Sequence, residues 1–406
     1  MCGEVDAPRK AYEDRERKHL GPNATSSSDP QYTRREYDPY KPDDIRSEFR
    51  RDYTRIVHSR AFRRLRHKTQ VFISPKNDHI CSRMEHSLHV ASVSQTIARA
   101  LKLNEDLVEA IALGHDLGHA PFGHIGESSL NRIAGEHGFS FSHELHSLRV
   151  VDFLESPYDE HPGLNLTFAV RDGIVCHFGE GKGDENKFEK ELHPDTKKAP
   201  DDLPKTRRGE SLPATLEGCV VRWADKVAYL GRDLEDALNP EVGLVQEKDI
   251  PESVKKPLGL SAGRHINRHM IGRLVRELIA SGKDTGTLSV PDDVHKALNE
   301  LNEFNTNRIY RSEALERARD QVDRGMKLLF DSLLERLKAV HGNPNGLIDR
   351  SEDRRVLTVF HEFLTEGAED FAEQPQEQLV IDYIAGMTDS FFRESFNELF
   401  LPTSVV

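Results

Sequence analysis

Four residues of two donor types set the chemistry open to this 406-residue chain: His86, the adjacent pair His115-Asp116, and Asp225. His119 and His124 follow the pair closely, so that His115, Asp116, His119 and His124 fall within ten residues. An imidazole and a carboxylate in adjacent positions can bind one cation where a helix ends or bends. A lone His-Asp dipeptide carries little, and His86 alone would read as a buried helix histidine bonded to a carbonyl. Together with an aspartate on a later helix they read as the donor set of a divalent metal ion. Manganese or magnesium is expected, with iron, cobalt, nickel or zinc also compatible with mixed imidazole and carboxylate ligands. Such an ion acidifies water and neutralises phosphate oxygens, the two demands of phosphate-ester hydrolysis.

Helices must bring these residues together. Leu88, Val90, Val93, Ile97 and Leu101 share a stripe on a helix that carries His86. The next helix opens at Asn104, a good N-cap, and runs through Leu107, Ala110, Ile111 and Leu113 into His115. Gly118, Pro121 and Gly123 then break the chain, which places His119 and His124 on a turn or a short helix. A further helix is expected over His143 to Glu155. Another passes through Leu216, Val220, Trp223, Val227 and Leu230 and carries Asp225.

Around this centre the chain reads as three parts. Residues 1–45 are polar, with the run Thr25-Ser-Ser-Ser-Asp-Pro30 and no apolar period, and are expected to form an extended arm. Residues 46–240 form the catalytic core, interrupted by a Gly-, Lys- and Glu-rich excursion over 179–210 that reads as mobile. Residues 241–406 are mostly helical after a polar connection over 239–256, and include the charged run Ser312 to Lys338. No segment alternates as a strand does, so the fold class is all-α.

Composition narrows the partners. The net charge of -13 disfavours long polyanions, so single-stranded DNA is compatible with a local basic patch but not indicated. That patch runs from Arg46 to Lys68, nine basic residues against Glu48 and Asp52. Most of its arginines are expected to pair inside the fold, with Arg66 the one candidate for a phosphate. The four cysteines, Cys2, Cys81, Cys176 and Cys219, form no CxxC pair, which argues against a disulfide scaffold or a thiolate zinc site. The chain has no apolar run long enough to span a membrane, and a cytoplasmic location is expected. His67, His79, His89 and His177 read as structural or solvated.

Several strings make a resemblance specific: Arg60-Ala-Phe-Arg-Arg-Leu65, Lys68-Thr-Gln-Val-Phe72, Glu85-His-Ser-Leu88, His115-Asp-Leu-Gly-His119, Pro121-Phe-Gly-His124, Ala224-Asp-Lys-Val-Ala-Tyr229 and Ile381-Asp-Tyr-Ile-Ala-Gly-Met-Thr-Asp389. They resemble the deoxyguanosine triphosphate triphosphohydrolase family within the HD phosphohydrolase superfamily. The resemblance implies hydrolysis of a deoxynucleoside triphosphate to deoxynucleoside and inorganic triphosphate, with His86, His115, Asp116 and Asp225 as metal ligands. It implies His124 as the proton donor with Glu127 behind it, and His143 beside Glu144 as the rival donor, His146 being another imidazole nearby. Arg83, His119 and Lys226 would offset phosphate charge. Gln70, Val71, Tyr229, Asp233 and Tyr310 would meet sugar and base. It further implies a homo-oligomer, in which a deoxynucleoside triphosphate could also act as an activator. The chain departs from the pattern at Ala120, in Phe141-Ser-His-Glu144 and in Arg51-Asp-Tyr-Thr-Arg55. An HD phosphoesterase acting on another nucleotide and a non-catalytic deoxynucleotide sensor are the competing readings.

Overall fold

The computed structural model describes residues 7–36, 45–73, 80–156, 162–177, 188–205, 211–260, 266–347 and 354–402. In chain order the first helices are α1 (Ala7–His19), α2 (Glu48–His58), α3 (Arg60–Arg64), α4 (Arg83–Leu101), α5 (Glu105–Gly114) and α6 (Gly123–Glu136). Next come α7 (His143–Arg149), α8 (Phe168–Val175), α9 (Leu216–Leu238), α10 (Glu252–Leu258), α11 (Ile266–Thr285) and α12 (Asp292–Asn305). The last are α13 (Glu313–Ala339), α14 (Arg355–Glu366), α15 (Ala368–Phe371), α16 (Gln376–Gly386) and α17 (Asp389–Phe400). Among the described residues the only strands are β1 (Glu191–Leu192) and β2 (Leu288–Ser289), paired antiparallel with Glu191 opposite Ser289. The fold is all-α, as the absence of alternation implied.

Local chemistry sets the boundaries that matter for the site. Ser82 and Glu85 form a reciprocal capping box at the start of α4, which puts His86 in its first turns. Asn104 caps α5 by accepting from the Leu107 amide, with Glu105 and Asp106 favourable to the helix dipole. α5 ends at Gly114, so His115 is its C-cap and Asp116 lies on the turn beyond. Thr215 caps α9, where Asp225 sits in mid-helix. α7 begins at His143 and continues as a π-helical turn over Val150–Leu154, matching the helix expected there.

The buried apolar residues form two clusters. The first joins α2, α4, α5, α8 and α9 to α10, α11 and α12. The second joins α6 to α13, α14, α16 and α17. The loop from His115 to Phe122 runs between them, and Val71 packs against both. Buried polar staples hold this seam. Lys68 donates through Nζ to the carbonyls of His119 and, at 2.8 Å, of Ala385. Asp389 accepts from the Phe122 amide at 2.9 Å and from the Thr69 amide at 3.2 Å, as well as from the Thr69 hydroxyl. His146 donates to the Gly118 carbonyl at 2.8 Å and faces Asp382, which also takes Arg149. Phe122 and Gly123 both have positive φ (65° and 58°), a conformation unfavourable for phenylalanine that these staples over-determine.

Four expectations change. The arm contains α1, and its Thr25 amide and hydroxyl both donate to the buried carboxylate of Glu217. Hydrogen bonding to α9 holds this part of the arm despite the missing apolar period. Within the excursion, residues 188–205 pair β1 with β2, while the rest lies mainly outside the described residues. The polar connection over 239–256 contains the start of α10, whose Val254 and Leu258 are buried. In the stripe on α4, Leu88 is 51% exposed, whereas Val90, Val93 and Ile97 are buried. Most of the basic patch pairs internally: Arg50 with Glu109, Arg64 with Glu155, and Arg55 with the carbonyls of Leu164 and Asn165. Arg66 is exposed and contacts its neighbour His67. His79 lies outside the described residues. Among the described residues no helix is long and apolar enough to cross a membrane.

Candidate metal centre and reaction site

α4, the end of α5 and α9 bring the four expected ligands together. His86 Nε2 stands 2.8 Å from Asp225 Oδ1, and His115 Nε2 stands 3.7 Å from the same oxygen. His115 Nε2 is 3.4 Å from Asp116 Oδ1, and His86 Nε2 is 3.9 Å from Asp116 Oδ2. Adjacent ligands on one octahedral ion with bonds of about 2.1 Å stand about 3 Å apart, and opposite ones about 4.2 Å. The four separations fall close to that range. His115 Nδ1 donates to the Ala112 carbonyl at 2.7 Å, and its buried Nε2 has no hydrogen-bond partner. That is the tautomer a metal requires, with a lone pair aimed at the centre. The residues present therefore fit a divalent ion.

The charges are arranged for the same purpose. Burial alone would raise the Asp116 carboxyl, but His115, Arg83 and His119 outweigh it and hold the group well below the usual carboxylate range. Burial likewise opposes ionisation of Asp225, and the bond and charge of His86 override it. Arg83 is itself buried; it donates to Asp116 Oδ2 at 3.0 Å and to the carbonyls of Thr69 and Gln70. Those contacts make it the residue that holds Asp116 and the 69–70 loop in place.

Beside this set lies a second group on α6 and α7. Glu127 is buried and shared: it accepts from the His143 amide and ring Nδ1 at 3.0 Å, and from His124 Nδ1 at 3.3 Å. Burial opposes charge on His143, yet Glu127 and Glu144 lift it to about 9. His124 has a side chain 65% exposed, whereas His119 is buried and stacks on His143 with ring centroids 3.9 Å apart. Burial, then the charges of Arg83 and His143, push His119 well below the ordinary histidine range. His146 faces the Gly118 carbonyl and Asp382, so it serves the seam and not this group.

His177, which reads from the sequence as structural or solvated, lies inside the site. Its Nε2 is 3.2 Å from His143 Nε2, and its ring lies 4.9 Å from that of His115. Burial, with His115 and His143 nearby, lowers it to about 4. It follows α8 at its C-terminal end, and nothing in the local pattern around Cys176-His177 distinguishes it from a packed histidine.

The remaining candidates divide. Tyr310 donates to Asp233 Oδ2 at 2.7 Å, and burial raises Asp233 to about 6 despite that bond. The charges of His86, His124 and Arg83 also act on Asp233, so this pair borders the centre. Gln70 is buried with its side-chain carbonyl oxygen lacking a hydrogen-bond partner. Lys226 and Tyr229 turn toward the excursion: Lys226 Nζ is 5.4 Å from the Phe188 ring and 3.7 Å from Glu189, and Tyr229 packs near Phe188.

Close backbone approach fixes the geometry of the loop. A Cβ on Gly118 would lie 2.1 Å from the Ser147 amide nitrogen and 2.7 Å from the His143 carbonyl. Gly118→Ala should force α7 away from the loop, destabilising the protein by about 1–3 kcal/mol and impairing turnover. Thermal unfolding and steady-state rates of the variant check this; an unchanged midpoint would contradict the packing described.

Comparison with known proteins gives the family. The HD domain model matches residues 83–230, and the phosphohydrolase-associated domain model matches residues 288–398. The deoxyguanosinetriphosphate triphosphohydrolase-like protein of Caldanaerobacter subterraneus subsp. tengcongensis is 35% identical over 395 residues, covering 97% of this chain and 96% of that protein. Its namesake from Desulfatibacillum aliphaticivorans is 37% identical over 401 residues, covering 98% and 99%. With the donor set in place and similarity running almost end to end, the chain belongs to the HD-domain phosphohydrolases, in the family of deoxyguanosinetriphosphate triphosphohydrolase-like proteins.

Proposed function

We propose that this phosphohydrolase cleaves deoxynucleoside triphosphates at the α-phosphate, releasing deoxynucleoside and inorganic triphosphate and so lowering deoxynucleotide pools. One observation carries the reading: a buried imidazole–carboxylate donor set lies beside an exposed imidazole, His124, backed by the buried carboxylate of Glu127. A divalent ion bound at His86, His115, Asp116 and Asp225 would neutralise phosphate oxygens and acidify water. The protein's own groups do the rest. The deoxyribose 5′ oxygen is a poor leaving group and needs a proton as its bond to phosphorus breaks. In its cationic form His124 bonds Glu127 through Nδ1 and delivers the proton on Nε2 to that oxygen. Glu127 is held by the His143 amide and ring, which keeps His124 aimed. Lys226 offsets triphosphate charge, His119, kept uncharged by burial and by Arg83 and His143, offers a ring hydrogen bond instead, and Arg83 keeps Asp116 oriented.

Gln70, Val71, Tyr229, Asp233 and Tyr310 receive the sugar and base. The partnerless Gln70 oxygen suits a sugar hydroxyl donor, and a tyrosine packed against the ring excludes a 2′ hydroxyl by contact. Asp233 is ionised above about 6 and takes a proton below it. If its charge orders the Tyr310 hydroxyl and the nucleoside, kcat/KM falls as pH drops through about 6, and Asp233→Asn removes that acid limb. A limb unchanged in the variant would detach Asp233 from substrate binding.

The decisive test incubates the manganese-loaded protein with each deoxynucleoside triphosphate, singly and mixed, and identifies the phosphate product by ion chromatography. Triphosphate is expected. Pyrophosphate or monophosphate would exclude α-phosphate cleavage, and turnover in mixtures alone would add an activating nucleotide.

A further inference from the structure

We infer that Asp389, at the start of α17, is a positioning residue for the imidazole of His124: its one carboxylate ties the turn that carries His124 to the loop that carries Gln70. The inference rests on the proton-donor reading of His124 for its chemistry and on geometry for the rest. Asp389 is buried and opens α17, one residue after the N-cap Thr388. Its Oδ1 accepts from the Phe122 amide at 2.9 Å. Its Oδ2 accepts from the Thr69 amide at 3.2 Å and from the Thr69 hydroxyl. Three donors from two segments of the catalytic core thus converge on a single carboxylate of the C-terminal helices.

Phe122 is where the backbone needs holding. Its φ of 65° is left-handed, a conformation that crowds Cβ against the backbone and costs energy in any residue but glycine. α17 grips this residue three times over. Asp389 takes its amide, the Phe392 ring meets its ring edge-on at 5.1 Å between centroids, and the Arg393 guanidinium lies 5.7 Å from its centroid. His124 follows two residues later in the first turn of α6, largely exposed and bonded to Glu127. A side chain so open takes its direction from its backbone, and that backbone is anchored at Phe122. The turn also abuts the 69–70 loop: a Cβ on Gly123 would lie 2.7 Å from the Gln70 carbonyl oxygen and 3.3 Å from that of Thr69. Those two carbonyls accept from the Arg83 guanidinium that holds Asp116. One carboxylate therefore sets His124 against both Gln70 and the metal ligands, and α17, which carries none of the four expected ligands, acts on the reaction through it. Asparagine has a single acceptor oxygen, so Asp389→Asn keeps one of the two segments and turns an N–H donor toward the amide of the other.

Full-length, manganese-loaded Asp389→Asn protein is expected to lose about tenfold to a hundredfold in kcat on a deoxynucleoside triphosphate, the scale of a group displaced by about 1 Å, with metal content unchanged. On a triphosphate ester of a nitrophenol, whose leaving group needs no proton, the loss should nearly vanish. In a His124→Ala background the substitution should add no further loss in kcat, because residues that act through one proton transfer are not additive. Amide hydrogen exchange, read by mass spectrometry, should quicken in peptides covering 66–72 and 120–125 and stay unchanged in α9. Equal losses on both esters, or a full additional loss in the His124→Ala background, overturn the positioning role. Unchanged exchange in both peptides overturns the tie itself, whatever the rates. Should Asp389→Asn not fold, Asp389→Glu keeps the charge at the start of α17 while displacing both oxygens, and the same readings apply. A fully active His124→Ala protein sinks the proton-donor reading alone, since quickened exchange around Phe122 would still show Asp389 holding the turn.

Discussion

Asp116→Ala is expected to empty the metal centre and to cut turnover by about a thousandfold or more, the largest effect of any single substitution in this chain. Metal-ion stabilisation of a phosphoryl transition state supplies several kcal/mol, and each 1.36 kcal/mol is about tenfold in rate. Asp116 is the most entangled ligand: its two oxygens face His86, His115 and His119, and it receives the buried guanidinium of Arg83. Alanine would leave that guanidinium without a counter-ion, at a further cost of about 3–5 kcal/mol to the fold. Asp116→Asn separates the two consequences. It keeps an acceptor for Arg83 and the shape of the side chain while removing the charge the ion needs. Metal content, unfolding midpoint and rate measured on both variants give the result. An Asp116→Asn protein that kept its full metal content and rate would remove Asp116 from the centre.

His124→Ala is expected to lower kcat by about 10²–10⁴ while leaving metal content and the unfolding midpoint unchanged. The side chain is largely exposed and contacts Glu127 alone among the groups described around it with a hydrogen bond, so its loss disturbs little of the fold. The diagnostic is the leaving group. A triphosphate ester of a nitrophenol departs without protonation, so the variant should hydrolyse it nearly as fast as the wild type does. Equal defects on both substrates would argue for a positioning role. Full activity of the variant on a deoxynucleoside triphosphate would transfer the acid role to His143, which shares the same carboxylate at 3.0 Å.

The grouping of His86, His115, Asp116 and Asp225 was legible from the sequence because the capacity for metal ligation is a matter of residue type at helix positions, and the helices themselves announce their ends. Asn104 and the Ser82–Glu85 pair are caps whose chemistry is local. The all-α class followed from the same periodicity. The arm was not legible, since Thr25 is held by a buried carboxylate on α9, almost two hundred residues away, and α1 is tied through Tyr12 to Asp106 and through Glu16 to Asn104. Nor was the path of the apolar core, which runs from α9 into α10, α11 and α12 and leaves α6 to pack with the C-terminal helices.

The sequence alone therefore determined which side chains can bind a metal and carry a proton, because those properties belong to the residues themselves. The tertiary structure decided which of several histidines are placed to do so. His146 lies one turn from His143 and is chemically its equal, yet the Gly118 carbonyl and Asp382 hold it in the seam, while Glu127 holds His143 at the centre. His177 entered the site only because α8 ends where its Nε2 meets that of His143. Direction, burial and hydrogen-bond partner distinguish one imidazole from another, and all three come from segments remote in the chain.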